Sequence, residues 1–275
     1  KERFSAYLAL IDTYKGERSP VICLDIAHAL YSAYFISSGT SQEKIKKRAV
    51  SFYKNITEWL GAKPRKGEKL NYAILRSAVL TYLTRMGDTT FYEEAREAFG
   101  RRLKGENIHP DMAVAVYNAV AWNGNTETFA QLQELYEQET NVEEKRRLLS
   151  ALAGFKKKKL VNNVLSYALS DSVRSQDIFA VVNAVASNTN GKELVWSWLQ
   201  KNWKTLEKKY QGASIHLLIR IVGSLGVLSA KTTEQEIMSF FKKHRVKGMS
   251  LTLHQVLERI RINRAFLEKN KTVGF

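Results

Sequence analysis

Residue types that carry enzymatic chemistry are sparse in this 275-residue chain. Its five histidines are His28, His109, His216, His244 and His254. No pair has the His-Glu-x-x-His spacing that sets two imidazoles on one helix face for zinc. Cys23 is the only cysteine, so neither an intrachain disulfide nor a cysteine metal cluster can form. A Gly-rich phosphate cradle and a Gly-x-Ser-x-Gly elbow are both missing. Asp25 and His28 lie one turn apart and could pair, but two groups do not make an active site. Within CLDIAHALY, His28 reads as a satisfied core histidine. His109 reads as a helix cap, and His254 is open to either reading. The segment is therefore expected to hold no catalytic residue and no metal.

Charge offers a second kind of chemistry. The 43 basic and 27 acidic residues leave a net +16, which raises the prior for an anionic partner. The run FKKKKL (155–160) is the densest cluster. A tetralysine can grip phosphates, but at a junction of two helices it reads as a solvated corner. The stretch SNTNGKELVWSWLQKNW (187–203) poses the sharper question, since it holds three of the five tryptophans among lysines. On a helical projection Trp196, Trp198 and Trp203 share an apolar arc of about 200° with Val195 and Leu199. Gln200, Lys201 and Lys204 fall opposite. Single-strand binders need aromatics and cations on one face, so this helix reads as a packing element. Nucleic acid is not an expected partner.

The elements that position these residues are helices of about 12–20 residues with short polar breaks. Ser19-Pro20 and His109-Pro110 read as helix starts, because a proline at the first position gives up no needed N–H. Asn141 with Glu144, and Thr233 with Glu236, have capping-box spacing. The spacing predicts tandem helices over 109–123, 126–139, 142–154, 158–170, 175–188, 191–203, 214–228, 233–244 and 250–268. The expected fold is all-α, an irregular HEAT- or armadillo-like array of antiparallel helix pairs forming a curved bowl. It is read as a single domain over 1–275, less regular over 1–107 and in tandem pairs over 108–275. GAKPRKGEK (61–69) is the expected exposed loop. No run of about 18 apolar residues occurs, so nothing spans a membrane and no membrane partner is expected. One cysteine and no visible leader point to the cytoplasm.

From about Ile108 to Phe266 the chain resembles the C-terminal helical domain of gluzincin zinc aminopeptidases. The group is that of the endoplasmic reticulum aminopeptidases, puromycin-sensitive aminopeptidase and tricorn-interacting factors. The matching pieces are IHPDMAVAVYNAV (108–120), EEKRRLLSALAGFKKKKLVNNVLSYAL (143–169), VRSQDIFAVVNAVASNTNGKELVWSWLQKNWKTLEKKY (173–210) and HQVLERIRINRAF (254–266). The third is the most specific: Arg174, Gln176 and Asp177 at a helix start, then Asn188 and Gly191, then an aromatic helix ending Asn202-Trp203. Gln255, Glu258, Ile260 and Asn263 carry the last pattern.

The resemblance implies a C-terminal piece of a larger enzyme. It lacks the His-Glu-x-x-His zinc site and the Gly-x-Met-Glu-Asn motif, which belong to a preceding catalytic domain; zinc is expected there. The implied role is to cover the active site and wall a chamber for peptide substrates. The implied partners are therefore the catalytic domain of the same parent chain and the peptides themselves. Arg174, Gln176, Asp177 and Asn188 are the candidate chamber-wall or interdomain contacts, with Trp196, Trp198 and Trp203 structural. For Arg174, pairing with Asp177 is an equally available role. The alternative is a free-standing helical-repeat scaffold for nucleic acid or an acidic protein.

Overall fold

Pro20 and Pro110 each open a helix, where their fixed φ suits the first turn. The computed structural model describes residues 4–270. Every regular element among the described residues is helical. In order these are α1 (Phe4–Asp12), α2 (Pro20–Ile36), α3 (Gly39–Leu60), α4 (Leu70–Arg85), α5 (Tyr92–Leu103), α6 (Pro110–Asn123) and α7 (Thr126–Gln138). There follow α8 (Val142–Leu152), α9 (Lys158–Tyr167), α10 (Ser175–Ala186), α11 (Lys192–Lys209), α12 (Ile215–Gly223), α13 (Lys231–Lys243) and α14 (Ser250–Asn270). Short 3-10 turns, Gly212–Ser214 and Ser224–Val227, flank α12. Residues 61–69 form the loop between α3 and α4.

The chain divides into two compact units, residues 4–131 with 269–270, and Leu132–Glu268. In the first, α4 packs against both α2 and α6; α3 packs on α2 and α4, and α5 packs on α6. Helix α6 is buried along most of its length, and Ala113, Ala115, Ala119 and Ala121 let its neighbours approach closely. Arg76 holds the α3–α4 loop from inside. Its side chain is 0 % exposed and meets the Glu68 carboxylate through two bonds of 2.6 Å. Its Nε donates to the Gly61 carbonyl at 2.9 Å, serving the backbone at the end of α3.

In the second unit α10 is the hub, touching α8, α9, α11 and α12. Its sequence SQDIFAVVNAVA buries Ile178, Val181, Val182, Val185 and Ala186, the spacing of one helix face. Helix α11 joins α9 to α13. Trp198 Nε1 donates to the Leu165 carbonyl at 3.0 Å, and Trp196 Nε1 to Glu236 at 2.8 Å. Two turns on, Trp203 meets Phe240, Phe241 and His244, so α11 and α13 run in the same direction. All three indoles are buried, while Lys201 and Lys204 stand exposed. Helix α11 continues to Lys209, past the expected end at 203, because Leu206 extends the buried face by another turn.

Two capping expectations need correction. Asn141 caps α8, accepting from the Glu143 and Glu144 amides at 3.0 Å, but its own amide turns to Glu139. Thr233 caps nothing, since α13 starts at Lys231 behind Ala230. The earlier start places Glu234 against Arg261 (2.6 Å) and Arg264 (2.7 Å) of α14.

Gly191 precedes α11 at a close approach. A Cβ there would lie 2.8 Å from the Val185 carbonyl and 3.0 Å from Val161. Gly191→Ala is expected to cost about 2 kcal/mol, whereas Gly16→Ala, with open space around it, should change stability by less than about 1 kcal/mol. Urea midpoints of the two variants check this. Hydrogen bonding to Arg264, opposed by burial and helped by Arg261, holds the Glu234 carboxyl below its ordinary 4.5. A depressed folded pKa contributes stability above the unfolded value and loses it as pH falls through the folded one. Stability should therefore fall below about pH 4.5, less steeply in Glu234→Gln, in melts recorded against pH.

Candidate functional site

The residues singled out by sequence gather around the two ends of α10. At its start, Arg174 Nε donates to Asp177 Oδ2 at 2.6 Å. The Arg174 side chain remains 45 % exposed while that of Asp177 is 7 % exposed. The hydrogen bond to Asp177, then its charge, raises the guanidinium pKa. Tyr210 Oη donates to the Ser175 carbonyl at 2.5 Å, and Tyr136 Oη to the Ser172 carbonyl at 3.2 Å. Burial, then the nearby Asp177 carboxylate, pushes both phenols up. Asp177 is thus an orienting group for Arg174 inside a packed corner. Gln176 faces solvent.

At the other end, Asn188 is 1 % exposed. Its Nδ2 donates to the carbonyls of Ala153 and Phe155, both at 2.8 Å, and its Oδ1 accepts from the Asn190 amide at 2.9 Å. The side chain has no surface to offer a ligand. It ties the α10–α11 turn to the α8–α9 turn. Asn263 does the same between α14 and the turn before α13, donating to Gly226 and Leu228 at 3.0 Å.

Arg220 escaped the sequence reading. On α12, its guanidinium lies 4.0 Å from the centroid of the Phe179 ring on α10. The residue is exposed, and it forms no ion pair among the described residues. Stacking on the ring presents the planar fork to solvent in a fixed orientation. Forty-one positions separate the pair (Phe179 to Arg220), so no local motif betrays it.

Reactive groups remain scattered. His28 is exposed, edge-on to Tyr82 at 5.9 Å, and not a core residue as expected; α2 turns it outward with Asp25 and Ser32. His109 accepts from the Asp111 amide at 3.3 Å and caps α6. The buried thiol of Cys23 is pushed up to about 11 by burial first, then by Glu17, so it is not a thiolate at neutral pH. Among the described residues no three His, Cys, Asp or Glu side chains could together hold a metal ion. The side chains described here do not fit a zinc site.

These features define an all-α domain whose buried polar side chains fasten turns. The family model for the ERAP1-like C-terminal domain matches residues 1–262, and the chain belongs to that family. It is 28 % identical over 281 residues to Aminopeptidase M1 of Arabidopsis thaliana, covering 98 % of this chain and 32 % of that protein. Aminopeptidase N of Mus musculus is 34 % identical over 188 residues, covering 65 % of this chain and 19 % of its own length. Glutamyl aminopeptidase of Sus scrofa is 29 % identical over 202 residues, covering 72 % and 21 %. The chain spans about a third of the first of these. No described helix is long and apolar enough to cross a membrane.

Asn188→Ala should cost about 2–3 kcal/mol, since two buried carbonyls lose their donor. Gln176→Ala, at an exposed site, should stay within about 0.5 kcal/mol. Chemical denaturation of both variants separates the fastening residue from the surface one.

Proposed function

We propose that the chain is the C-terminal domain of a zinc aminopeptidase, covering the active site and walling a chamber for peptide substrates. The observation that carries this reading is the family match across nearly the whole chain. The aminopeptidase names of relatives about three times longer support it. Zinc and the hydrolytic groups are assigned to the catalytic domain of the parent chain, which is also this segment's proposed main partner. The compartment we favour is the cytoplasm, on the strength of a single, buried cysteine.

Within this reading, exposed Arg174 and Gln176 face peptide or catalytic domain, Asp177 orients Arg174, and Asn188 braces the turn behind. Arg220 joins them as a site for carboxylates on a peptide, because a guanidinium fork binds them with two parallel bonds. A nucleic-acid scaffold is the poorer reading, because the indoles that would stack on bases are buried beneath the layer that carries the lysines.

The parent reading frame should encode His-Glu-x-x-His and a more distant Glu upstream of these residues. A gene encoding only this segment would overturn the proposal. The purified segment should release no amino acid from a model substrate, with or without added zinc. In the parent enzyme, Arg220→Ala should raise KM for acidic peptides about tenfold, equivalent to roughly 1.4 kcal/mol, and leave neutral peptides unchanged.

A further inference from the structure

The net charge of +16 has no part in the function proposed above. Much of it collects at one edge of the second unit, where α11 and α13 end side by side. Lys204 and Lys208 stand exposed near the end of α11. Lys242, Lys243, Arg245 and Lys247 stand exposed at the end of α13 and in the turn to α14. None of these six forms an ion pair among the described residues. Of the nearby carboxylates, Glu234 is buried between Arg261 and Arg264 and Glu236 accepts from Trp196; Glu207, half-buried on α11, is one acidic group among these six cations.

The turn presenting these cations is anchored. The His244 ring lies 4.3 Å from that of Phe240 and 5.9 Å from Trp203, between two of the cations. Met249 is buried just beyond, its amide bonded to the Val246 carbonyl at 3.2 Å. Gly248, at φ +83°, makes the bend that only glycine adopts without strain. Immediately past the turn, Leu251 is 68 % exposed at the first turn of α14.

We propose that this edge is a peripheral docking surface for an anionic lipid bilayer. Three features favour a bilayer over a nucleic acid. The cations are mostly lysines, point charges suited to a diffuse negative surface and not to bidentate recognition. A bare leucine beside them gains nothing from a phosphate backbone but inserts at a headgroup boundary. The tryptophans that could stack on bases are buried. One apolar contact with a basic cluster supplies the two signals that reversible membrane binding requires. Such docking needs no spanning helix. It departs from the sequence expectation of no membrane partner, which rested on the missing apolar run.

The test is co-sedimentation of the full chain with vesicles of phosphatidylcholine alone or with 30 mol % phosphatidylserine, at low and physiological salt. Binding is expected to the anionic vesicles only, weakening as salt rises. Two variants divide the contributions: Lys242→Gln/Lys243→Gln/Arg245→Gln/Lys247→Gln, expected to lose at least tenfold in affinity, and Leu251→Ser, expected to lose a few-fold. Reversing Lys66 and Lys69 in the first unit should change nothing. All sites are exposed, and helical circular dichroism confirms folding. Failure to bind anionic vesicles at low salt overturns the proposal. So does equal binding to neutral vesicles, or tighter binding to duplex DNA that is indifferent to Leu251→Ser. The two vesicle results leave the aminopeptidase reading untouched, whereas tight duplex binding would also favour the nucleic-acid scaffold over it.

Discussion

A helix cannot satisfy its own last carbonyls, and in stacked helical hairpins many of those ends are buried. The rest of this structure depends on meeting that demand from outside each helix. Asn188 meets it for Ala153 and Phe155, Asn263 for Gly226 and Leu228, and Trp198 for Leu165. At the other kind of end, Tyr210 and Tyr136 fix the entry to α10 by donating to Ser175 and Ser172. In the first unit Arg76 does so for Leu60 and Gly61. In the second unit the donors lie 33–37 residues from their acceptors. That is about the length of two helices with their turns, so each bond fastens one turn to another well separated in sequence.

The same demand explains the family motifs. Asn188 is a buried donor to two carbonyls, and Gly191 marks a close approach to Val185 and Val161. The aromatic helix after them has two jobs on two faces. Its indoles fill the layer between α9 and α13, and Lys201, Lys204 and Lys208 face water. A helix so divided keeps Lys201, Lys204 and Lys208 in water while burial presses on Lys192 at its start, which leaves the outer edge free to act on an anionic partner.

A domain fastened in this way suits a supporting role. Its exposed polar groups, Arg174 braced by Asp177 and Arg220 stacked on Phe179, are held in fixed orientations by neighbours. Fixed cations of this kind can recognise carboxylates, which is the role the proposed function gives them.

The sequence by itself determined the helices and their buried faces. Periodicity 3.6 is local, so the arc holding Trp196, Trp198 and Trp203 was legible, as were the starts at Pro20 and Pro110 and the cap at Asn141. The solvated corner at Lys156–159 was legible for the same reason. Only the tertiary structure decided which polar side chain meets which. Asn188 looked like a surface contact and is a buried fastener; His28 looked buried and is exposed; Thr233 looked like a cap and is not one. Arg220 had no signature at all. Asn188 and Arg220 depend on partners supplied by the packing of distant helices, about 35 residues away for Asn188 and 41 for Arg220. No property of the local sequence encodes that distance or direction.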